Sequence, residues 1–221
     1  MSKMLVIEMP AAGTRCRDRL RGQGLKGSGW EVVSVDNCAK FPPTHLCDIL
    51  QWDYAAAYPP GHFDVVWASP PCIQYSCART KGPPRDLVGA DRLVAKALEI
   101  IDHFAPRWWW VENPATGLLK TRAVVRPLGA PYTVSYCKYG FCYRKHTHLW
   151  SNNPHLDARA CRKDCPHWDP VKKCHPASAQ RGPNHYEERK QNAYGMRGYS
   201  MTDLYRMPPA LCDAIAWASC L

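Results

Sequence analysis

The sequence contains no apolar run that approaches the roughly 18 residues needed to cross a bilayer. Its first residues also lack the layout of a signal peptide, because Glu8 and Pro10 interrupt the short apolar stretch there. Both absences argue against a membrane or secreted protein. We therefore expect a soluble protein that works inside a cell, in the cytoplasm.

The cysteine pattern argues against a disulfide-stapled miniprotein, although the chain contains 12 cysteines. A chain of 221 residues is too long for that class, and it lacks a signal peptide. We expect reduced thiols instead: one catalytic cysteine, the ligands of a metal site, and small core residues such as Cys212 and Cys220.

Acidic residues are scarce relative to basic ones, and the formal net charge is +10. Residues 138–197 alone hold twelve Lys and Arg against five Asp and Glu. A basic segment beside a mildly charged body is typical of a protein that binds a polyanion, with nucleic acid as the first candidate. A basic solvated surface is the alternative interpretation.

The chain is organised around the segment 63–72, with the sequence FDVVWASPPC. Its β-branched and aromatic residues predict a short buried strand, and the two prolines end that strand because they lack backbone donors. Cys72 then lies on a stiff loop at the carboxyl end of the strand, where open α/β sheets bind ligands. There it is a candidate nucleophile, with a buried structural cysteine as the alternative.

Three other predicted strands also end in polar residues. The strand at 4–8 ends in Glu8, and the strand at 30–35 is followed by Asp36. The strand at 108–111 is followed by the segment 112–114, ENP. If the four strands form one parallel sheet, all these side chains lie along one rim. This regular placement is the strongest argument for an enzyme that does not depend on any family.

The first half of the chain has the outline of a nucleotide-binding unit. A strand is followed by a loop of small residues at 9–14, a helix at about 15–22, a second strand and Asp36. An acid at that strand end accepts hydrogen bonds from ribose hydroxyls, or is simply solvated. Asp48 beside Ile49 is suited to an adenine, with the carboxylate on its amine and the aliphatic side chain against its ring.

Two further helices are predicted. Residues 86–103 carry an apolar stripe at helical spacing behind an Asp86 cap, and we interpret that stripe as core rather than function. A final helix at 210–218 follows Pro208 and Pro209 and is expected to pack back on the sheet.

Cysteine and histidine are concentrated in residues 151–198, a polar and basic stretch with few aliphatic residues. Such a stretch cannot build much of a core, and a closed Cys₃His zinc site would stabilise it. The predicted ligands are Cys161, Cys165, Cys174 and His185, with His175 and His167 as alternatives for the histidine. A flexible loop with reduced, partly exposed cysteines is the other interpretation.

The combination of Pro-Cys at Cys72 with Glu112 and Asn113 resembles the DNA (cytosine-5)-methyltransferases. The order of motifs fits that family: a loop after strand one, an acid after strand two, then Asp48 and its aliphatic neighbour, Pro-Cys and Glu-Asn. Pro-Cys by itself is a weak signal, whereas the ordered set is a specific one.

The segment 143–150 stands where this family has a Gln-x-Arg-x-Arg motif, with His146 and His148 at the arginine positions. The resemblance covers about residues 4–150 and 205–216, and it is greatest to the compact enzymes of phages and viruses. The first loop has Met-Pro-Ala-Ala-Gly where the family has Phe-x-Gly-x-Gly. These departures favour, as the alternative, a catalytically weak or inactive DNA-binding relative.

The resemblance implies an α/β fold, a Rossmann-like S-adenosylmethionine-dependent methyltransferase sheet, with a small recognition insert at the Cys/His-rich stretch for which the residues themselves predict zinc. It also implies methyl transfer to C5 of cytosine in double-stranded DNA, through a bond between Cys72 and C6 of a flipped-out base, inside the host cell if the protein is viral. Glu112 would act at N3 of the ring, Asn113 would fix the loop, and His146 and His148 would complete the catalytic set. The residues implied for S-adenosylmethionine are Glu8, Met9, Ala11, Gly13, Asp36, Asn37, Asp48, Ile49, Ser69 and Pro71.

The same resemblance divides the chain into three parts. Residues 1–150 are expected to form the catalytic domain, 151–198 a small basic target-recognition region, and 199–221 a C-terminal segment that packs back on the catalytic domain.

Overall fold

A seven-stranded sheet forms the centre of the computed structural model, which describes residues 2–8, 30–39, 42–181, 197–199 and 204–221. Five parallel strands are joined at one edge by two antiparallel ones, in the order β3-β2-β1-β4-β5-β7-β6. The strands are β1 (Lys3–Glu8), β2 (Glu31–Asp36), β3 (His45–Leu46), β4 (Val65–Ser69), β5 (Trp108–Pro114), β6 (Tyr132–Ser135) and β7 (His146–Ser151).

The predicted strands are confirmed, with different bounds at β4 and β5. β4 is buried at every residue and runs to Ser69, directly before the proline pair. β5 continues beyond the tryptophans to Pro114, which pairs with Thr147 at the strand end. The parallel pairing of β1, β2, β4 and β5 places their carboxyl ends on one rim, as expected.

Two helices cover opposite faces of the sheet, because successive strand side chains alternate between the faces. Helix α2 (Leu87–Phe104) packs on the face that carries Leu5 and Val66. Helix α3 (Pro209–Cys220) packs on the other face, against Trp67 and Trp110. A short helix, α1 (Tyr54–Ala57), precedes β4.

The cap predicted for α2 is confirmed, since the carboxylate of Asp86 accepts the backbone N–H of Gly89 at 2.7 Å. The helix ends at Ala105, whose φ of 44° lies in the left-handed region. The helix predicted at residues 15–22 lies outside the described residues. In the part of the chain that the structure describes, no helix has the length and apolarity to span a membrane.

The region after β7 has little regular structure. Residues 152–176 contain no helix or strand, apart from an isolated bridge between Asp169 and Cys174. They lead into a two-stranded parallel sheet of β8 (Ala177–Arg181) and β9 (Arg197–Tyr199). Three 3₁₀ turns complete the described part, at Leu119–Thr121, Ala123–Leu128 and Tyr136–Tyr139. The division into three parts at residues 150 and 198 stays a prediction.

Candidate active site

The loop that carries Cys72 is held by hydrogen bonds on both sides of that residue. The side-chain amide of Asn113, near the end of β5, donates to the Pro70 carbonyl at 3.0 Å, and this bond is buried. On the other side, the backbone N–H of Tyr75 donates to the Cys72 carbonyl at 3.0 Å. The loop backbone therefore has a defined position just after β4.

Cys72 lines a small pocket at the carboxyl edge of β4 and β5, which we name the Cys72 pocket. Glu112 reaches it from β5, and Lys145 reaches it from the residue directly before β7. The cavity volume is about 30 Å³. The other wall residues are Ser69, Pro70, Pro71, Pro114, Tyr136, Tyr205 and Met207.

The pKa values of Glu112 and Cys72 are both shifted in this pocket, and the Lys145 cation acts on both. Glu112 is only 8% exposed, and burial raises the pKa of its carboxyl against the opposing effect of the Lys145 cation. Burial also raises the pKa of the Cys72 thiol, the charge of Glu112 raises it further, and Lys145 lowers it. The pocket thus favours a protonated carboxyl and gives the thiolate a cationic neighbour.

The Lys145 side chain is itself held in place. Its ammonium group donates to the Leu204 carbonyl at 2.8 Å and lies 4.8 Å from the centre of the Tyr136 ring. Both partners are buried or half-buried, so the cation stays between the sheet edge and the chain that precedes α3.

A second and larger cavity, the Asp48 cavity, opens at the carboxyl ends of β2 and β3. Its volume of about 360 Å³ lies within the range of roughly 300–1,000 Å³ of small-molecule sites. Pro71 lines both this cavity and the Cys72 pocket, so the two spaces meet at the loop. The other wall residues are Val35, Asn37, Cys47, Asp48, Ile49, Leu50, Ile73, Gln74, Asp86, Gly89, Ala90 and Leu93.

Comparison with known proteins identifies the family. No protein-family model matches the chain. The probable DNA (cytosine-5)-methyltransferase of Frog virus 3 (isolate Goorha) is 32% identical over an alignment of 197 residues, and the match covers 83% of this chain and 86% of the viral protein. The chain belongs to the DNA (cytosine-5)-methyltransferase family.

Among solved structures, the chain is similar to a candidate DNA modification methyltransferase encoded within an E. coli prophage. The TM-score is 0.47 at 14% sequence identity, and the match covers 88% of this chain. The chain spans 63% of the length of that protein.

Four of the residues implied for S-adenosylmethionine in a DNA (cytosine-5)-methyltransferase line the Asp48 cavity. They are Asn37, Asp48, Ile49 and Pro71. The Asp48 carboxylate accepts the backbone N–H of Leu50 at 2.9 Å, which fixes it at the cavity rim. The predicted pairing of a carboxylate with an aliphatic surface is therefore present.

Asp36 and Ser69 are not among the residues that line the Asp48 cavity. Asp36 is buried at the end of β2, where its carboxylate accepts the backbone N–H of Cys38 at 2.9 Å. Ser69 lines the Cys72 pocket rather than the Asp48 cavity, and its hydroxyl accepts the indole N–H of Trp67 at 2.8 Å. Glu8 ends β1. Its side chain, and the residues Met9, Ala11 and Gly13, lie outside the described residues.

The sequence analysis missed several wall residues of the Asp48 cavity. Ile73 and Gln74 directly follow Cys72, and their position after the proline pair was the available signal. Ala90 and Leu93 belong to the apolar stripe of α2, for which the sequence predicts a role in the core only. The structure shows that the first turns of this stripe also face the cavity.

The motif on β7 differs from the expectation drawn from the family. His146 and His148 do not line the Cys72 pocket, whereas Lys145 does. His146 instead contacts the Ser135 hydroxyl through Nδ1 at 2.8 Å, and His148 packs edge-on against Trp150. The physical reason is the twofold alternation of a strand, which turns neighbouring residues to opposite faces.

A cluster of three thiols and one imidazole lies beside β6, and we name it the Cys/His cluster. It consists of Cys137, Cys161, Cys165 and His175, all buried. The predicted ligand Cys174 is not part of this group, because its backbone pairs with Asp169 and neighbouring side chains of an extended chain point apart. The predicted His185 lies outside the described residues.

Proposed function

We propose that this family member transfers a methyl group from S-adenosylmethionine to C5 of cytosine in DNA, with Cys72 as the nucleophile. The observation that carries the proposal is the meeting of a thiol, a buried carboxyl and a cation in the Cys72 pocket. The viral relative, whose name states this activity, supports the choice of DNA and of cytosine.

Cys72 would supply the reactivity that cytosine lacks. C5 is a poor nucleophile, but attack of a thiolate at C6 converts the ring into an enamine that can accept a methyl group at C5. Burial raises the pKa of the Cys72 thiol, and the Lys145 cation opposes that rise, so Lys145 would reduce the cost of forming the attacking thiolate. After the methyl group has bonded to C5, a water molecule acting as base would take the C5 proton, the C5–C6 double bond would re-form, and the sulfur–C6 bond would break to return Cys72 as the thiolate.

Glu112 would act on the opposite side of the same ring. Because burial raises the pKa of its carboxyl, Glu112 holds a proton that it can donate to N3 as charge develops there. Asn113 would be a positioning residue, since it binds the Pro70 carbonyl rather than facing the pocket. The division of labour is therefore bond formation by Cys72 and proton donation by Glu112.

The Asp48 cavity would hold S-adenosylmethionine. Its size suits a small molecule, its Ile49 and Leu50 walls suit a purine ring, and Asp48 offers an acceptor for the exocyclic amine. When bound, S-adenosylmethionine supplies an electrophilic methyl group. The shared wall at Pro71 places that space next to Cys72.

The target base would enter the Cys72 pocket only after leaving the duplex, because base pairing and stacking hide C6. The present volume of about 30 Å³ is room for no more than about two water molecules. Entry of a cytosine therefore requires the pocket walls to separate, and one of those walls is formed by Tyr205 and Met207 from the chain before α3.

The DNA backbone would contact the basic segment after β7. Arg162, Lys163, Lys172 and Lys173 are all exposed there, and exposed cations of this kind bind phosphates without reading sequence. Residues 151–198 would then form the target-recognition region, as the sequence predicts.

Trapping on modified DNA tests the proposal. We would incubate the protein and S-adenosylmethionine with a long duplex in which every cytosine is 5-fluorocytosine, so that many sequence contexts are present. Fluorine at C5 blocks the final elimination, and a band that survives a denaturing gel is expected. Cys72→Ser should abolish the band, whereas Cys77→Ser, at a neighbouring exposed thiol, should retain it.

The absence of an adduct despite DNA binding would refute methylation by Cys72 and favour a DNA-binding relative without activity. An adduct that persists in Cys72→Ser would refute the assignment of the nucleophile.

A further inference from the structure

The Cys/His cluster has the geometry of a closed metal site. The ligand atoms of Cys137, Cys161, Cys165 and His175 all lie within 4.8 Å of one another. The Nε2 atom of His175 lies 3.7 Å from the sulfur of Cys161 and 3.2 Å from that of Cys165. We propose that these four residues bind one structural zinc ion.

The separations agree with tetrahedral coordination. Bond lengths of about 2.3 Å to sulfur and about 2.0–2.1 Å to nitrogen place ligand atoms roughly 3.6–3.8 Å apart at the corners of a tetrahedron. The two measured sulfur–nitrogen distances bracket the lower end of this range within a few tenths of an ångström. The side chains therefore need only small movements to accept the ion.

The surroundings favour an ion over a plain core cluster. The three buried cysteines contact one another and are covered by Trp168, which packs edge-on against the His175 ring. Three thiols and one imidazole are also a ligand set that closed structural zinc sites use, with the cysteines bound as thiolates.

The ligands come from two distant parts of the chain. Cys137 belongs to the 3₁₀ turn that follows β6, whereas the other three belong to residues 152–176, which have no helix or strand. A bound ion would therefore fasten the irregular segment to the edge of the main sheet. A second link is already present, because the backbone N–H of Cys161 donates to the Ser135 hydroxyl at 2.8 Å.

The Cys/His cluster and the Cys72 pocket share neighbouring residues of the chain. Tyr136 lines that pocket and Cys137 belongs to the Cys/His cluster. At the start of β7, which pairs with β6, Lys145 precedes the strand and lines the pocket, and His146 contacts Ser135. Loss of the ion is therefore expected to disturb one wall of the pocket, although the zinc proposal itself does not depend on methylation.

Metal analysis of the full chain, expressed and purified without chelators, tests the proposal. Inductively coupled plasma mass spectrometry is expected to find about one zinc per chain, as four protein ligands imply for a closed site. Cys161→Ser should lose the zinc. The matched control is Cys174→Ser, because Cys174 lies next in sequence to a ligand but outside the cluster.

A variant that keeps a complete ligand set guards against simple misfolding. Cys137→His should retain the metal, and replacing zinc with cobalt(II) should then give tetrahedral absorption bands at energies different from those of the parent protein. The absence of stoichiometric zinc, loss of metal in Cys174→Ser equal to that in Cys161→Ser, or a disulfide between cluster cysteines in freshly purified protein would each overturn the proposal. None of these readouts uses methylation, so they separate this proposal from the proposed function.

Discussion

Replacing Asn113 by alanine removes the bond that ties the Cys72 loop to β5. Asn113 is fully buried and its amide donates to the Pro70 carbonyl. An acceptor left unsatisfied in the interior costs about 1–3 kcal/mol, so we expect the free energy of unfolding to fall by about 2 kcal/mol. With a urea m-value of about 2–3 kcal/mol/M, the unfolding midpoint should move down by about 0.7–1 M.

The same change should lower kcat by more than the loss of stability alone would explain. A displacement of about 1 Å in a reacting group can cost roughly a hundredfold in rate, and Asn113→Ala frees the backbone two residues before Cys72. We therefore expect kcat to fall at least about tenfold under conditions where the variant is fully folded. Urea unfolding followed by tryptophan fluorescence, and methylation at saturating DNA, measure the two effects separately.

Asn152→Ala is the matched control for this experiment. Asn152 also binds the backbone around β5, with bonds of 2.9 Å to the Trp109 N–H and 3.0 Å to the Arg107 carbonyl, but at the opposite end of the strand. It should reduce stability while leaving kcat unchanged. An unchanged midpoint in Asn113→Ala, or an equal loss of kcat in both variants, would refute the reasoning.

The remaining predictions concern charge. Lys145→Met should reduce methylation at pH 7 by roughly ten- to a hundredfold. The rising limb of its pH–rate profile should move to higher pH, because burial raises the pKa of the Cys72 thiol and Lys145 opposes that rise. Lys145→Arg should keep the parent profile, and an unchanged profile in Lys145→Met would contradict the prediction. His148→Gln should change kcat by less than about twofold, in contrast to the family-based expectation, and a larger loss would place His148 in the reaction. Asp91→Asn should lower the unfolding midpoint at neutral pH. Burial raises the Asp91 pKa, but the hydrogen bonds from Arg122 and Tyr75 outweigh burial and lower that pKa below 3.8. The ionised carboxylate therefore stabilises the fold above pH 3.8, and this stabilisation is lost as the pH falls through the folded-state pKa. A pH-independent difference in midpoint would argue against the ion pair.

Strand ends and local caps could be predicted because their causes are local. The proline pair after Ser69 removes backbone donors, and β4 ends there for that reason. Asp86 begins α2 because its side chain accepts an amide N–H three residues later. The acidic and thiol groups of the rim followed from these boundaries together with parallel pairing.

The direction in which a side chain points, and contacts between residues distant in sequence, could not be predicted in the same way. The family motif predicts His146 and His148 in the catalytic set. Neighbouring residues of an extended chain face opposite sides of the sheet, and Lys145 lines the Cys72 pocket instead. Cys137 stands 24 residues before Cys161 and follows no short ligand spacing, so nothing in the local pattern separated it from the core cysteines. Only the packing of residues 152–176 against the β6 edge brings it to the Cys/His cluster.

The position of Pro71 between the two cavities has a consequence for how the protein can vary. One rigid ring contributes to the walls of both cavities. Under the proposed function that ring would separate the methyl donor from the base, and the fixed φ of proline would keep the gap between them constant. We would then expect a substitution at this residue to alter both sites together, so that specificity would vary at the walls that the two cavities do not share.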